Sequence, residues 1–184
     1  EDIGVRDSKA LTKNKRSFLF HKILDVSEFV CIYKIDCKTI DENVFQKKLN
    51  KLEGIIMSSI IKHLSVDIAY VDSCDINIDR YTNYLKSNLN LKNNISVIAM
   101  HKADRINPVV SAASIIAKVT RDREIQILEE IFQNIGSGYP SDKKTMYFIK
   151  NWMKEYKEFP NFVRKSWRPI REITYSQSKI YEFI

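Results

Sequence analysis

Two aspartates stand where an α/β protein could hold a metal ion. Asp72 follows the apolar run 68–71, and Asp104 follows the apolar run 95–100. Both runs have the length of buried strands, and one helix is predicted between them. A right-handed crossover would bring the two carboxylates to the carboxyl edge of one sheet. Carboxylate oxygens suit Mg²⁺ or Mn²⁺, ions that activate water and stabilise the leaving oxygen when a phosphodiester is cut.

Spacing alone leaves a second interpretation of this pair open. An aspartate after a strand also caps the loop that follows it, and short patterns of this kind often occur by chance. His101 has no partner at ligand spacing and is more typical of a loop. With only four glycines, where an average composition of about 7% gives about 13, these residues hold no glycine-rich phosphate loop.

Composition narrows the class of protein. The 184 residues suit one domain, and 44% hydrophobic residues argue against disorder. We expect a single domain over 1–184 with a basic helical part from about 142. The longest uncharged stretch, 106–117, has 12 residues, short of the ~18 that a spanning helix needs. No secretory signal opens the chain, and three cysteines without zinc spacing indicate reduced thiols, so a cytoplasmic location is expected. We also expect a monomer with no membrane contact.

Charge is unevenly distributed along the chain. Residues 143–172 carry nine basic side chains against three acidic ones, a net +6, whereas residues 65–104 carry five aspartates against four basic groups. Segment 143–172, here called the basic arm, could bind a polyanion, and the acidic segment 65–104 could bind a divalent metal. A solvated helix face is the alternative, and charge alone favours it.

Hydrophobic periodicity predicts an α/β order of elements. The first helix opens at Asp7–Ser8 and reaches about Leu24. Strands are expected at Phe29–Cys37, 68–71 and 95–100. Further helices are expected at Glu42–Leu64 behind an Asp41 cap, at Arg80–Ser87, from Pro108 to about Phe132, and from Asp142 to about Tyr156.

Several ordered motifs resemble type 2 ribonuclease H (ribonuclease HII), most closely its archaeal and eukaryotic-type branch. The matching segments are GVRDSKALT at 4–12, YVDS at 70–73, HKAD at 101–104 with PVVSAASIIAKVTRD at 108–122, GSGYPSD at 136–142 and VRKSW at 163–167. The resemblance extends from about residue 3 to 171. It implies a ribonuclease H-like fold, a mixed sheet flanked by helices, and hydrolysis of the RNA strand of RNA–DNA hybrids, including cutting at a single ribonucleotide in duplex DNA.

The resemblance also implies the roles of individual residues. Asp72 and Asp104 match two of the four acidic residues that hold Mn²⁺ or Mg²⁺ in the family. Ser8 and Lys9, at a helix N-terminus, match a phosphate contact. Tyr139 matches the tyrosine that packs on the sugar at the scissile junction. Lys102 and Lys118 are further candidates for phosphate contacts. For Ser8 and Lys9 an ordinary helix cap is the alternative, and for Tyr139 a turn residue that covers the core.

One family motif is absent from these residues. Asp-Glu-Ala-Gly-Arg-Gly, which carries the other two carboxylates on the first strand, would lie upstream of the segment 4–12, and Asp41-Glu42 does not replace it. We therefore expect the first strands to be missing and metal binding and activity to be weak. A fragment of a longer chain or an inactive remnant would explain this, and the intact remaining motifs favour the fragment. A non-catalytic binder of nucleic acid is the alternative function.

Overall fold

In the computed structural model, residues 11–89 and 95–181 are described, with side chains as far as 175. They form two compact units, each described here by itself. The first comprises 11–33 and 50–121, and the second comprises 34–49 and 122–181. A single domain over 1–184 stays a prediction.

Helices dominate the described residues, with a small parallel sheet. The elements in chain order are α1 (Lys13–Val26), α2 (Cys37–Phe45), α3 (Leu49–Leu64), β1 (Ile68–Asp72), α4 (Ile78–Asn88), β2 (Ser96–Met100), α5 (Ala103–Ile106), α6 (Pro108–Phe132), α7 (Lys143–Tyr156) and α8 (Arg168–Tyr181). None of these helices is long and apolar enough to cross a membrane. The α/β class is confirmed, and so is the expected parallel pairing.

The sheet of the first unit is covered on one face by helices. Alternate residues of β1 and β2 point inward, as period-two alternation in a strand requires. They join side chains of α3 and α4 in one core, which contains Ile61, Ala69, Val71, Tyr81, Leu85, Leu89 and Val97. A second core in this unit joins α1 to the first half of α6 through Leu19, Phe20, Ile23, Ile115, Ile116 and Val119.

The second unit packs α7 and α8 around an apolar core. The buried residues are Ile149, Phe159, Val163 and Ile170. α7 begins at its predicted place because the Asp142 side chain accepts a hydrogen bond from Lys144 N–H at the helix N-terminus. Its end is marked by Lys157, whose φ of 59° is left-handed.

Two of the expected elements are wrong. Phe29–Cys37 is not a strand, since α2 already begins at Cys37 and, within the described ranges, nothing pairs with 29–36. A strand requires a neighbour for its backbone hydrogen bonds, and alternation in sequence does not supply one. Phe29 and Tyr33 are consequently exposed.

The long helix Glu42–Leu64 is also wrong, because it is divided into α2 and α3. Lys47 has a φ of 57°, which is incompatible with a continuous α-helix. The apolar spacing continues through this break, so periodicity could not reveal it. The cap is Asp36 rather than Asp41: Asp36 Oδ1 accepts a hydrogen bond from Thr39 N–H at 2.8 Å. The helix start expected at Asp7–Ser8 lies outside the described residues; α1 is capped by Thr12.

Candidate active site

β1 and β2 end together at one edge of the sheet. Their register pairs Asp72 with Met100. Ser73 N–H extends the pairing by donating to the carbonyl of Met100 at 2.9 Å. The carboxyl ends of the two strands are therefore side by side, the position where α/β sheets bind ligands.

Asp72 holds the turn that follows β2. Lys102 has a left-handed backbone with a φ of 53°, which reverses the chain so that α5 begins at the next residue. Asp72 Oδ1 accepts the N–H of Ala103 at 3.0 Å. Asp104 is the residue after this donor, so the hydrogen bond brings the backbone of Asp104 next to Asp72. Asp72 thus binds the turn after β2, not the loop after its own strand, and holds the residue before Asp104.

The two carboxylates differ in their environment. Asp72 is exposed and, within the described part of the chain, its Oδ2 accepts no hydrogen bond, whereas Asp104 is only 5% exposed. Hard carboxylate oxygens of this kind fit a divalent cation. Among residues 11–89 and 95–181, however, no group of three or more His, Cys, Asp or Glu side chains is placed to hold a metal ion. The donor set described is therefore two carboxylates.

The loop after β1 is fixed by an ion pair that the sequence did not reveal. Arg80, on α4, donates to both carboxylate oxygens of Asp75, with 3.0 Å from Nε to Oδ2. These hydrogen bonds hold the pKa of the Asp75 carboxyl below its usual value. His101 lies in a turn, with Nε2 3.2 Å from the carbonyl oxygen of Ile76. For the Arg80–Asp75 pair, the only signal in the sequence was the five-residue spacing between opposite charges.

The Cys74 side chain is a protonated thiol at neutral pH. Partial burial and a hydrogen bond with Glu53 raise the pKa of its thiol to about 11. Burial likewise raises the pKa of the neighbouring Tyr81 hydroxyl. Since the thiolate is the nucleophile and the metal-binding form, this site holds no reactive cysteine. All three cysteines are free thiols.

The predicted substrate-binding residues fall in different parts of the chain. Lys102 is exposed in the turn before Asp104. Lys118 is half-buried on α6, where its Nζ donates to Ser114 Oγ at 3.1 Å. Tyr139 belongs to the second unit. Ser8 and Lys9 lie outside the described residues.

Tyr139 is carried by a tightly hydrogen-bonded loop. Glu129 accepts the backbone N–H groups of Asn134, Ile135 and Gly136. Asp142 Oδ2 accepts Ser137 N–H at 2.7 Å, and hydrogen bonds from Ser137, Lys144 and Thr145 lower the pKa of the Asp142 carboxyl to about 2. Tyr139 itself is 47% exposed.

A buried carboxylate that sequence reasoning missed fixes the basic turn before α8. Asp41 accepts the N–H groups of Lys165 at 2.7 Å and Ser166 at 2.9 Å. The neighbouring Cys37 Sγ contacts the Phe162 carbonyl oxygen at 3.2 Å. The partners are more than 120 residues apart, and no local pattern signals such a contact.

A family model and the relatives found by sequence comparison name the same family. Residues 1–170 match the family model described as Ribonuclease HII. Ribonuclease HII of Methanococcus maripaludis is 42% identical over 190 residues, which cover 100% of this chain and 78% of the relative. Ribonuclease HII of Thermococcus kodakarensis is 42% identical over 175 residues, covering 94% of this chain and 75% of the relative.

Solved structures agree with the sequence relatives. Ribonuclease H2 from Pyrococcus horikoshii OT3 superposes with a TM-score of 0.83 at 41% identity, covering 94% of this chain and 81% of that one. The ribonuclease HII of Archaeoglobus fulgidus, solved in complex with PCNA, gives a TM-score of 0.77 at 38% identity, covering 90% and 79%. The chain belongs to the ribonuclease HII family, whose members are endonucleases.

Proposed function

We propose that this ribonuclease hydrolyses the RNA strand of RNA–DNA hybrids and cuts at single ribonucleotides embedded in duplex DNA. The observation that supports this most directly is the hydrogen bond of 3.0 Å from Ala103 N–H to Asp72 Oδ1, which holds the residue before Asp104 against the Asp72 side chain at the carboxyl edge of the sheet. Both aspartates are assigned as metal ligands. The free thiols fit a reducing compartment such as the cytoplasm. A role on replicating or repaired DNA is proposed from the family motifs.

The donor chemistry fits Mn²⁺ or Mg²⁺, with Asp72 and Asp104 as ligands. Such an ion, when bound, supplies an activated water and charge stabilisation at the leaving oxygen. Asp72 keeps one oxygen on the Ala103 N–H and offers the other to solvent. Asp104 adds a carboxylate shielded from water, where electrostatic attraction is stronger. Two carboxylates offset only part of the charge of two divalent ions, so we propose weak metal binding and weak activity for residues 1–184 alone.

Substrate contacts are assigned to the side chains that match the family motifs. Tyr139 offers its ring to the ribose at the cut site. Lys102 and Lys118 are assigned to the phosphates near Asp104, and Ser8 with Lys9 to a further phosphate. These roles follow the family motifs, and the exposure of Tyr139 and Lys102 supports them.

The experiment uses the whole chain under single-turnover conditions with a labelled duplex that contains one ribonucleotide. Asp72→Asn and Asp104→Asn should each lower Mn²⁺-dependent cutting by at least about 100-fold, since each removes a charged ligand. Asp79→Asn, an exposed aspartate in the first turn of α4, is the matched control and should cut at the wild-type rate. Full activity in either ligand variant would refute the assignment.

A second function, binding of nucleic acid without cutting, is favoured by one observation. Within the described ranges no third acidic or histidine ligand joins the two aspartates. A binder of this kind would hold a hybrid duplex with an affinity that falls steeply with salt, and added Mn²⁺ would yield no product. Product formation at the ribonucleotide excludes it.

We further propose PCNA as a protein partner, because a relative of similar fold was solved in complex with it. Mixing the chain with PCNA should give a species of higher mass by light scattering. Independent elution of the two proteins at micromolar concentration would contradict the proposal.

A further inference from the structure

The backbone around Tyr139 is bound by the N-terminus of α7 within the second unit. Just before the tyrosine, Gly138 N–H donates to Thr145 Oγ1 at 3.0 Å. The carbonyl oxygen of Tyr139 itself accepts the N–H of Asp142 at 3.1 Å. Gly138 has a φ of 68°, a left-handed conformation that glycine adopts without strain. The chain is thus bound on both sides of the Tyr139 Cα atom, which restricts the direction of its Cα–Cβ bond.

Thr145 makes the first of these contacts through a hydroxyl that is engaged both as donor and as acceptor. The hydroxyl donates to Asp142 Oδ2 at 3.2 Å and accepts the N–H of Gly138. Because a hydroxyl has a single hydrogen and the carboxylate takes it, an oxygen lone pair remains for the glycine N–H. The pKa of the Asp142 carboxyl is about 2, so this acceptor is ionised at neutral pH and makes a strong hydrogen bond.

The place of Thr145 in the fold indicates that its hydroxyl serves the loop. Thr145 lies in the first turn of α7 and is 3% exposed, and Ile149, one turn further along the helix, belongs to the apolar core. A valine has almost the shape of threonine and would fill this buried place as well. What threonine adds is the two hydrogen bonds, and both join α7 to the residues that flank Tyr139.

We propose that Thr145 is a positioning residue for Tyr139, so that the contact of the tyrosine with ribose depends on the Thr145 hydroxyl. This role rests on the ribose contact proposed for Tyr139, and it names the residue that holds the tyrosine in its loop. A site whose competent conformation is populated only in part loses apparent affinity by the same factor. The net free energy of one hydrogen bond corresponds to a change of about 2- to 10-fold in such a population.

The test is a double-mutant cycle on the whole chain that combines Thr145→Val with Tyr139→Ala. For a duplex with one ribonucleotide, it measures the rate constant of Mn²⁺-dependent cutting at limiting enzyme and, by fluorescence anisotropy without divalent metal, the dissociation constant. In the wild-type background, Thr145→Val should worsen both quantities by about 2- to 10-fold. With alanine at position 139 the same substitution should change them by less than about 1.5-fold, since the residue through which it acts is gone. If residues 1–184 do not cut, the dissociation constant alone gives the cycle.

Rescue and control variants separate positioning from general stability. Thr145→Ser keeps the hydroxyl and should stay within about twofold of wild type. Thr174→Val removes a hydroxyl that donates to the Ile170 carbonyl oxygen within α8, and it should behave as wild type. Hydrogen exchange at the Gly138 amide should become about 2- to 10-fold faster in Thr145→Val and stay at the wild-type rate in Thr145→Ser. If circular dichroism shows that the valine variant is unfolded, Thr145→Cys, whose thiol is a weak hydrogen-bonding group, replaces it.

Contrary results would differ according to which step is wrong. Wild-type behaviour of Thr145→Val, or a loss of equal size in both Tyr139 backgrounds, would overturn the positioning role and leave the proposed function intact. An unchanged exchange rate at Gly138 would also overturn this role, because the hydroxyl would then not hold the loop. Tyr139→Ala with wild-type rate and affinity would refute the ribose contact in the proposed function, and the role of Thr145 would fall with it.

Discussion

At the scale of single residues, four carboxylates of the described chain hold turns and loops in place. Asp41, Asp72, Glu129 and Asp142 each accept backbone N–H groups from a segment that does not belong to their own helix or strand. A charged acceptor makes a stronger hydrogen bond than a neutral one, and a carboxylate can serve two donors at once. The turns before α5 and α8 and the loop before α7 are consequently fixed by side chains.

Asp41→Ala should lower the free energy of unfolding by about 2–4 kcal/mol. The substitution leaves the backbone N–H groups of Lys165 and Ser166 without their acceptor in a largely buried place. The free energy of unfolding in urea measures this. Asp36→Ala, which removes an exposed helix cap, is the comparison and should lose about 1 kcal/mol. Equal losses in the two variants would show that the Asp41 contact adds little beyond a cap.

The pH dependence of stability should carry a contribution from Asp142. The pKa of this carboxyl is about 2 in the folded chain, against 3.8 without the fold, because Ser137 N–H and Lys144 N–H bind the ionised form. Its stabilising effect is therefore complete above about pH 4 and is lost as the pH falls toward 2. Melting temperatures between about pH 5 and 2.5 should fall less steeply in Asp142→Asn than in wild type. Asp25→Asn, at an exposed site on α1, should keep the wild-type slope.

At the scale of elements, the loop between α6 and α7 has no room for a side chain at Gly136. Gly136 has a φ of +79°, and a Cβ there would lie 2.6 Å from Asp142 Oδ2 and 2.9 Å from the backbone nitrogen of Thr145. Neither neighbour is a flexible chain end, because Asp142 Oδ2 accepts hydrogen bonds from Ser137 N–H and Thr145 Oγ1, and the Thr145 nitrogen belongs to the backbone of α7. The turn that presents Tyr139 thus leaves no room for a side chain at this position.

Gly136→Ala should lower the free energy of unfolding by about 2–4 kcal/mol, from left-handed strain and the Cβ contacts together. Asn134→Gly gives the opposite case, because Asn134 also has a positive φ, 56°, and glycine relieves it. We expect that variant to be unchanged or slightly more stable in urea. A fully stable Gly136→Ala protein would mean that the loop has another conformation.

Elements whose signal is local could be predicted from the sequence, and those that depend on distant partners could not. The bounds of Pro108–Phe132 are correct because a first-turn proline and continuous apolar spacing specify this helix. Asp72 could be placed at the end of β1 because its strand has a local apolar signal, whereas Asp104 lies in the short helix α5, which the sequence analysis did not predict. Phe29–Cys37 failed because its alternation needs a neighbouring strand, and the role of Asp41 was missed because its N–H donors lie over 120 residues away. The Arg80–Asp75 pair was missed since surface charges at short spacing are common.

At the scale of the whole molecule, the charge of +7 should appear as salt-dependent binding to duplexes. Lys165→Gln with Arg168→Gln removes two exposed charges at the turn that Asp41 fixes. For a hybrid duplex, we expect the slope of log affinity against log salt to fall by about 1.8, or about 0.9 for each phosphate that these side chains neutralise. The control variant Lys47→Gln with Lys48→Gln has the same net charge as the first pair, but its substitutions lie outside the basic arm. Its slope of log affinity against log salt should therefore stay as in wild type. Equal slopes in both pairs would mean that only net charge matters.

The bond between Asp72 and Ala103 has a consequence for which substitutions position 72 tolerates. The side chain at position 72 must be short enough to reach that N–H. Its proposed role as a metal ligand also requires a negative charge. Asparagine keeps the reach and loses the charge, glutamate keeps the charge but is one methylene longer, and alanine loses both. A mutational screen for folding should therefore accept asparagine at position 72. A screen for catalysis should accept aspartate alone, so the residues tolerated in the two screens should differ most clearly at this position.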